Sequence, residues 1–218
     1  MTDEPSVAAV TAERSLLEAL EAGCSAPIGA YAAGAAQLLG LRGDLRCVPI
    51  RGNAGTRLAK VSVGELDAVV LAYAGLARIG QAGTVTQVFE PEEMLPAPGQ
   101  GALAVECRED DAGLVAALQA VTDEASVAAV TAERSLLEAL EAGCSAPIGA
   151  YAAGAAQLRM QVAVMSPDGS RVLRAHGEAA AAGAWQLGRD LAAELLRSGA
   201  SDLIGGPEEQ ANSRNDVQ

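Results

Sequence analysis

Apolar residues recur along the chain with two different spacings, every three to four residues as in a helix and every second residue as in a strand. A leucine stripe over residues 6–22, ended by Gly23, predicts a helix, and residues 26–33 are expected to be extended. Residues 45–50 (LRCVPI) predict a strand, and the start of the apolar run 67–80 predicts a buried strand, with a helix, TRLAKVSVGE, between them. Strand, loop, helix and strand in this order are typical of an α/β domain with a parallel sheet.

The second half of the chain predicts a smaller α+β unit. Residues 90–101 (EPEEMLPAPGQG) form a Pro- and Gly-rich connection, and residues 102–108 alternate as a strand does. A helix is predicted over 111–121, and the SPDG sequence at 166–169 predicts the turn of a hairpin. Residues 182–198 place alanine and leucine on one face of a last helix.

One segment of the sequence occurs twice. Residues 2–38 and 122–158 differ only at Pro5 and Ala125. Two copies do not make a repeat array, which needs at least about three stacked units. Because only the second copy is followed by the hairpin and last helix, we interpret it as the start of a C-terminal domain and the first as a displaced duplicate. The predicted division is 1–38, the duplicate; 39–108, an α/β domain with a hinge near 90–101; 109–206, the C-terminal α+β domain; and 207–218, a disordered tail.

Charge and composition narrow the range of functions. The net charge of −13 argues against nucleic acid and against anionic membranes as partners. The longest apolar run is about half the ~20 residues that a spanning helix needs. The four cysteines have no C-x-x-C spacing and His176 is the only histidine, so no metal site is expected. A cytoplasmic protein with free thiols is the simplest prediction.

The sequence around Cys144 narrows the prediction further. A cysteine behind a helix-ending glycine is more commonly an inert buried thiol, but LEAGCSAPIGAYA strongly resembles the cofactor-attachment loop of porphobilinogen deaminases, also called hydroxymethylbilane synthases. VPIRGNAGTRLAK, GELDAVVLAYAGLARIG and EEMLPAPGQGALAVECR also look like family segments in family order, and the resemblance covers about residues 37–205. It implies a partial periplasmic-binding-protein-like parallel-sheet domain followed by a small α+β domain with a three-stranded sheet.

The resemblance implies a transferase of tetrapyrrole (porphyrin and heme) biosynthesis, usually monomeric. Such enzymes join four porphobilinogen units on a dipyrromethane cofactor, with release of ammonia. Cys144 matches the cysteine that carries this cofactor through a thioether, for which a thiolate is the required nucleophile. Cys24 has identical neighbours but lacks the downstream hairpin and helix, so it is the weaker attachment candidate.

Further cofactor-binding residues are implied in two loops. Arg51 and Arg57 in RGNAGTR match the family arginines that hold acetate and propionate groups, which guanidinium can bind in a bidentate way. Gln100 and Gly101 match residues that line the cleft. GQGALA also fits the G-x-G-x-x-A pattern of dinucleotide sites, but its Pro-rich context argues against one. RGNAGTR lacks the GK[ST] of a phosphate loop, and His176 is expected to be an ordinary hairpin residue.

One family element is not found in this sequence. Family members carry an H-S-x-K-D segment whose aspartate handles protonation, and no such string occurs here. No catalytic residue is therefore assigned, and we expect the chain to be inactive or severely impaired. Two alternatives stay open: a non-catalytic carboxylate-binding module built on Arg51 and Arg57, and a non-functional product that self-associates by domain swapping.

Overall fold

The computed structural model describes residues 28–142 and 146–204 of the chain. These residues form helices and one small sheet, which confirms the predicted mixture of α and β structure. The predicted helix over 6–22 and the predicted tail over 207–218 lie outside the described residues. The elements are α1 (Ile28–Leu41), α2 (Ala54–Ser62), α3 (Tyr73–Arg78), α4 (Ala112–Ala120), α5 (Glu124–Ala139), β1 (Ile148–Ala153), β2 (Gln157–Met165), β3 (Val172–Ala180), α6 (Ala184–Arg197) and α7 (Ser201–Ile204).

The sheet is antiparallel, with the strand order β1-β2-β3. Ile148 lies opposite Val164, and Gln161 lies opposite His176. The predicted hairpin between β2 and β3 is confirmed: the Gly169 amide donates to the Ser166 carbonyl at 2.9 Å across the turn. β1 forms one edge of this sheet, so its outward backbone amides need other partners.

The main core lies between one face of the sheet and the helices α5 and α6. Alternate residues of β2 point into it, as expected for a strand with two different faces. The two helices approach closely at Gly188, where an added Cβ would lie 2.1 Å from the Ala132 carbonyl oxygen. The most buried side chains of this core include Leu136, Ile148, Leu158, Met160, Val162, Val164 and Leu195.

A second, smaller core lies on the opposite face of the sheet. Ala163 and Met165 of β2 point there and are covered by α1 and Leu95. α1 contributes two buried alanines, Ala33 and Ala36. α1 and the segment around Leu95 therefore pack on the face of the sheet opposite to α5 and α6.

The region between α1 and Leu95 differs from the prediction. The strands predicted at 45–50, at the start of 67–80 and at 102–108 are wrong, since these residues have no regular structure. A strand needs a hydrogen-bonded neighbour, and the described residues supply none for these segments. Within 42–94 only Leu76 is buried. The helix predicted in TRLAKVSVGE is confirmed as α2, and the helices predicted at 111–121 and 182–198 as α4 and α6.

The two copies of the duplicated segment also differ from the prediction. The extended conformation expected over 26–33 is wrong from Ile28 onward, where α1 begins. The identical sequence in the second copy forms β1 and the start of β2. No single helix in 28–142 or 146–204 is long and apolar enough to cross a membrane; α4 and α5 meet that criterion only together and are bent by 99°.

Candidate functional site

The glycine loop, Gly99–Gly101, folds as a tight turn at the end of the Pro-rich connection. Gly99 and Gly101 have φ values of 76° and 92°, a region that favours glycine. The Gln100 amide donates to the Ala97 carbonyl at 3.0 Å, and the Ala97 amide donates to Gln100 Oε1 at 3.1 Å. The predicted site residues Gln100 and Gly101 are both exposed, so this loop presents a backbone and an amide side chain to solvent.

Glu133 of α5 ties the glycine loop to the sheet. Its Oε2 accepts the Gly99 amide at 2.5 Å and its Oε1 accepts the Ala152 amide of β1 at 2.8 Å. The residue is only 6% exposed. Burial raises the pKa of this carboxyl above its ordinary value, and the two amide hydrogen bonds oppose that shift. One buried carboxylate thus joins the loop, a helix and an edge strand.

Glu133 is not among the residues predicted from the sequence, although a signal was present. Glu133 precedes Leu136, Leu137 and Leu140 by three, four and seven residues, so it falls on the apolar face of its helix. A charged residue on such a face requires hydrogen-bond partners. The sequence could have flagged the residue, but its partners come from two distant segments.

The Pro-rich connection runs along the edge of β1. The Ala150 amide donates to the Pro96 carbonyl at 2.9 Å. Leu95 lies against Gly149, where an added Cβ would come within 2.7 Å of the Leu95 Cβ. The predicted hinge is therefore attached to the C-terminal unit in this conformation.

Cys144 and Cys24 both lie outside the described residues. The chain segment that carries Cys144 connects α5 to β1, and these are the two elements that Glu133 and Ala152 link to the glycine loop. The glycine loop and the elements on both sides of Cys144 therefore belong to one hydrogen-bonded unit.

The arginine loop, residues 51–57, forms the start of α2. Asn53 caps the helix through its side-chain oxygen, which accepts the Thr56 amide at 2.9 Å. Arg57 Nε donates to the Gly52 carbonyl at 2.7 Å. Since Gly52 has a φ of 108°, the loop has a defined turn with one arginine turned back on it.

Arg51 is exposed and lines a shallow cleft of about 370 Å³. Lys60 and Glu65 line the same cleft and form an ion pair with each other. Within the part of the chain that the structure describes, no hydrogen bond or ion pair connects the arginine loop to the glycine loop. The structure thus defines both predicted loops locally without bringing them together.

The remaining candidate residues are ordinary in their surroundings. Among the residues that the structure describes, no group of three or more His, Cys, Asp or Glu side chains is arranged to hold a metal ion. His176 lies exposed on β3, as predicted for a hairpin residue. Cys47 and Cys107 are free thiols.

Comparison with known proteins matches the sequence of this chain to one family. A family model described as the porphobilinogen deaminase dipyromethane cofactor binding domain matches residues 3–116. A second model, the porphobilinogen deaminase C-terminal domain, matches residues 127–197. The chain belongs to the porphobilinogen deaminase family.

Curated relatives named porphobilinogen deaminase show the same similarity. The protein of Thermobifida fusca is 54% identical over 179 residues, which cover 78% of this chain and 56% of the relative. Those of Corynebacterium diphtheriae and Nocardia farcinica are each 50% identical, over 78% of this chain and 58% and 52% of the relatives. The chain thus spans about half the length of the curated relatives that it matches.

Proposed function

We propose that this chain carries the cofactor-holding part of a hydroxymethylbilane synthase of tetrapyrrole biosynthesis. The observation that carries the proposal is the glycine loop, which Glu133 and Ala152 join to the two elements that flank Cys144. Family membership and the match to a dipyromethane-binding model support the same conclusion. The substrate would be porphobilinogen, a small molecule.

We assign attachment of dipyrromethane to Cys144. When bound, this group supplies the pyrrole chain on which porphobilinogen units are joined with release of ammonia. The residues of this chain would provide a thiolate for the thioether and cationic groups for the carboxylates. The donor set fits that purpose, since Arg51 is exposed, makes no hydrogen bond or ion pair with other described residues, and lines an open cleft. Arg57, Gln100 and Gly101 are the further candidates for contacts to the pyrrole chain.

The chain by itself is proposed to hold the cofactor without efficient catalysis. Proton transfer in the reaction needs a positioned carboxylate, and the 218 residues contain no H-S-x-K-D string. We infer that 39–108 forms the parallel-sheet, periplasmic-binding-protein-like half only when strands from another segment pair with it. None of the residues 45–50 and 67–72 is buried or belongs to a helix or strand, which supports this inference.

Intact-mass measurement after incubation with porphobilinogen tests the assignment. We expect a covalent dipyrromethane adduct on the unsubstituted chain and on the Cys24→Ser variant, and none on Cys144→Ser. The two variants are matched, because the cysteines have the same neighbours in sequence. An adduct that persists in Cys144→Ser and disappears in Cys24→Ser would reverse the assignment, and porphobilinogen turnover at family rates would refute the proposed impairment.

A carboxylate-binding module is the second candidate function. The cleft that Arg51 shares with the Lys60–Glu65 ion pair favours it, because Glu65 compensates Lys60 and Arg51 leaves one net positive charge at an open surface. Binding of a pyrrole carboxylic acid without any covalent adduct, abolished by Arg51→Ala, would support the module over the synthase.

Self-association through the duplicate is also proposed. Residues 2–27 repeat 122–147 except at Pro5, so a groove that accepts α5 in one molecule can accept the duplicate from another. Light scattering coupled to size exclusion tests this, and a single monomer peak at all concentrations would contradict it.

A further inference from the structure

We propose that the segment 95–99 is clamped by one side chain from each copy of the duplicated sequence, Gln37 from the first and Glu133 from the second. Both are positioning residues for the glycine loop. The proposal deepens the proposed function, since the loop it positions is a candidate contact for the pyrrole chain. It also gives the duplicate a structural role that the displaced-copy interpretation does not.

Gln37 holds the first end of the segment through its side-chain amide. Its Nε2 donates to the Leu95 carbonyl at 2.9 Å, and its Oε1 accepts the Leu95 amide at 2.7 Å. Nε2 also donates to the Ala33 carbonyl at 3.1 Å, which fixes the orientation of the side chain on α1. Gln37 is 5% exposed and Leu95 is 2% exposed. Among the described residues, the Gln37 side chain is the hydrogen-bond partner of both the Leu95 amide and the Leu95 carbonyl, two buried groups that each need one.

Glu133 holds the other end through its hydrogen bond to the Gly99 amide. Between the two ends, the Pro96 carbonyl accepts the Ala150 amide of β1. Pro96 and Pro98 each fix one backbone dihedral angle, which leaves little freedom between the clamped ends. The position of the glycine loop therefore depends on both side chains together.

The counterpart of Gln37 in the second copy provides a natural control. Gln157 follows the same ten residues, but it is exposed at the start of β2 and its side chain forms no hydrogen bond with the rest of the described chain. A glutamine in this sequence context thus acquires the clamping contact only through the helical fold of the first copy.

Residue-resolved hydrogen exchange on the full chain tests the clamp. Gln37→Ala removes both hydrogen bonds to Leu95. Loss of one buried hydrogen bond changes an opening equilibrium by up to about tenfold, so exchange at the Leu95 amide should accelerate by about ten- to a hundredfold. Gln157→Ala should leave that amide unchanged. Glu133→Ala should accelerate Gly99 and Ala152 by a similar factor. Equal exchange at Leu95 in the unsubstituted chain and Gln37→Ala would overturn the clamp.

Two further variants keep the test decisive if alanine disturbs folding. Gln37→Glu replaces the Nε2 donor by an oxygen that faces the Leu95 and Ala33 carbonyls. At neutral pH protection should therefore fall at least as far as in Gln37→Ala, and it should recover at acidic pH, where the protonated carboxyl can donate. Glu133→Asp is shorter by one methylene and should restore protection at only one of its two amides. Exchange rates at the Leu95, Gly99 and Ala152 amides that do not change with the hydrogen bonds lost or kept in these variants would refute the clamp.

The positioning role has its own readout, the rate of adduct formation at Cys144. We expect Gln37→Ala to slow it and Gln157→Ala to leave it unchanged. If Leu95 opens but the adduct rate stays the same, the positioning role is refuted. If the unsubstituted chain forms no adduct, the proposed function fails, while the exchange measurement still decides whether the clamp exists.

Discussion

The two copies of IGAYAAGAAQL show one sequence in two secondary structures. In the first copy, Ile28–Leu38 belongs to α1. In the second, the same residues form β1, a turn at Gly154 and the start of β2. Within this sequence, the inherent preference of an alanine-rich segment for helix is decisive only where no strand pairs with it.

The residues downstream of each copy account for the difference. The second copy continues into the rest of β2, which pairs with β3 over residues 157–165. That pairing holds Leu158 at 0% exposure in the main core. The first copy continues into Leu39, Gly40 and Leu41, and its alanines instead pack on the opposite face of the sheet. Tertiary pairing therefore overrides local propensity in one copy only.

The largest expected difference in stability between the two copies comes from replacing a matched pair of leucines by alanine. Leu158→Ala should cost about 2–5 kcal/mol of stability, because it leaves a cavity in the main core. Leu38→Ala, at a half-buried position of α1, should cost about 1 kcal/mol. Urea unfolding followed by the fluorescence of Trp185, the single tryptophan, measures both. Equal losses would mean that the two copies are equivalent in solution.

Alanine substitutions at a matched pair of glycines should change the free energy of unfolding in opposite directions. Gly154 has a φ of 126°, and an added Cβ would lie 2.0 Å from the Gln157 carbonyl oxygen, so Gly154→Ala should cost at least about 1–3 kcal/mol. Gly34 lies within α1 with no atom within 4 Å of such a Cβ. Gly34→Ala should stabilise α1 by about 0.5–1 kcal/mol. Unfolding and hydrogen exchange of α1 check the pair; destabilisation by Gly34→Ala would argue against a helical first copy.

Glu133 should make the stability of the C-terminal unit depend on pH. Burial raises its pKa in the folded chain, so the folded chain binds a proton more readily than the unfolded one. The contribution of Glu133 to stability should be greatest below the ordinary pKa of 4.5 and should decline as pH rises through the folded pKa. Glu133→Gln should remove this dependence, whereas Glu13→Gln, its counterpart in the first copy, should preserve it. A profile that the two substitutions change alike would contradict a distinct role for the second copy.

The smallest expected effect is in the hairpin turn that touches the first copy. An added Cβ on Gly169 would lie 2.2 Å from the Ala36 carbonyl oxygen, so the turn packs on α1. Hydrogen bonds from Ser166 and Ser170 lower the pKa of Asp168 to about 2. The turn should be stabilised above pH 3.8 and lose this contribution as pH falls through about 2. NMR titration of Asp168 checks it, and an ordinary pKa there would rule out these hydrogen bonds in solution.

Prediction from the sequence worked where the signal is local. Helix α4, the SPDG turn and helix α6 carry their signals within a few residues of sequence, and all three elements form as predicted. The strands at 45–50 and 102–108 failed because their formation depends on partners elsewhere. Glu133 and Gln37 were missed for the same reason: each binds backbone groups that are distant in sequence.

The segment 95–99, which covers the outer edge of β1, lies in the predicted hinge, and this has a consequence for aggregation. The amides of Ala150 and Ala152 point away from the sheet and are occupied by the Pro96 carbonyl and the Glu133 carboxylate. If the segment 95–99 moved away, the Ala150 amide would be left without its partner. An uncovered edge strand is a template for β-addition by another chain. The same contacts that place the glycine loop therefore also protect the molecule against intermolecular strand pairing and aggregation.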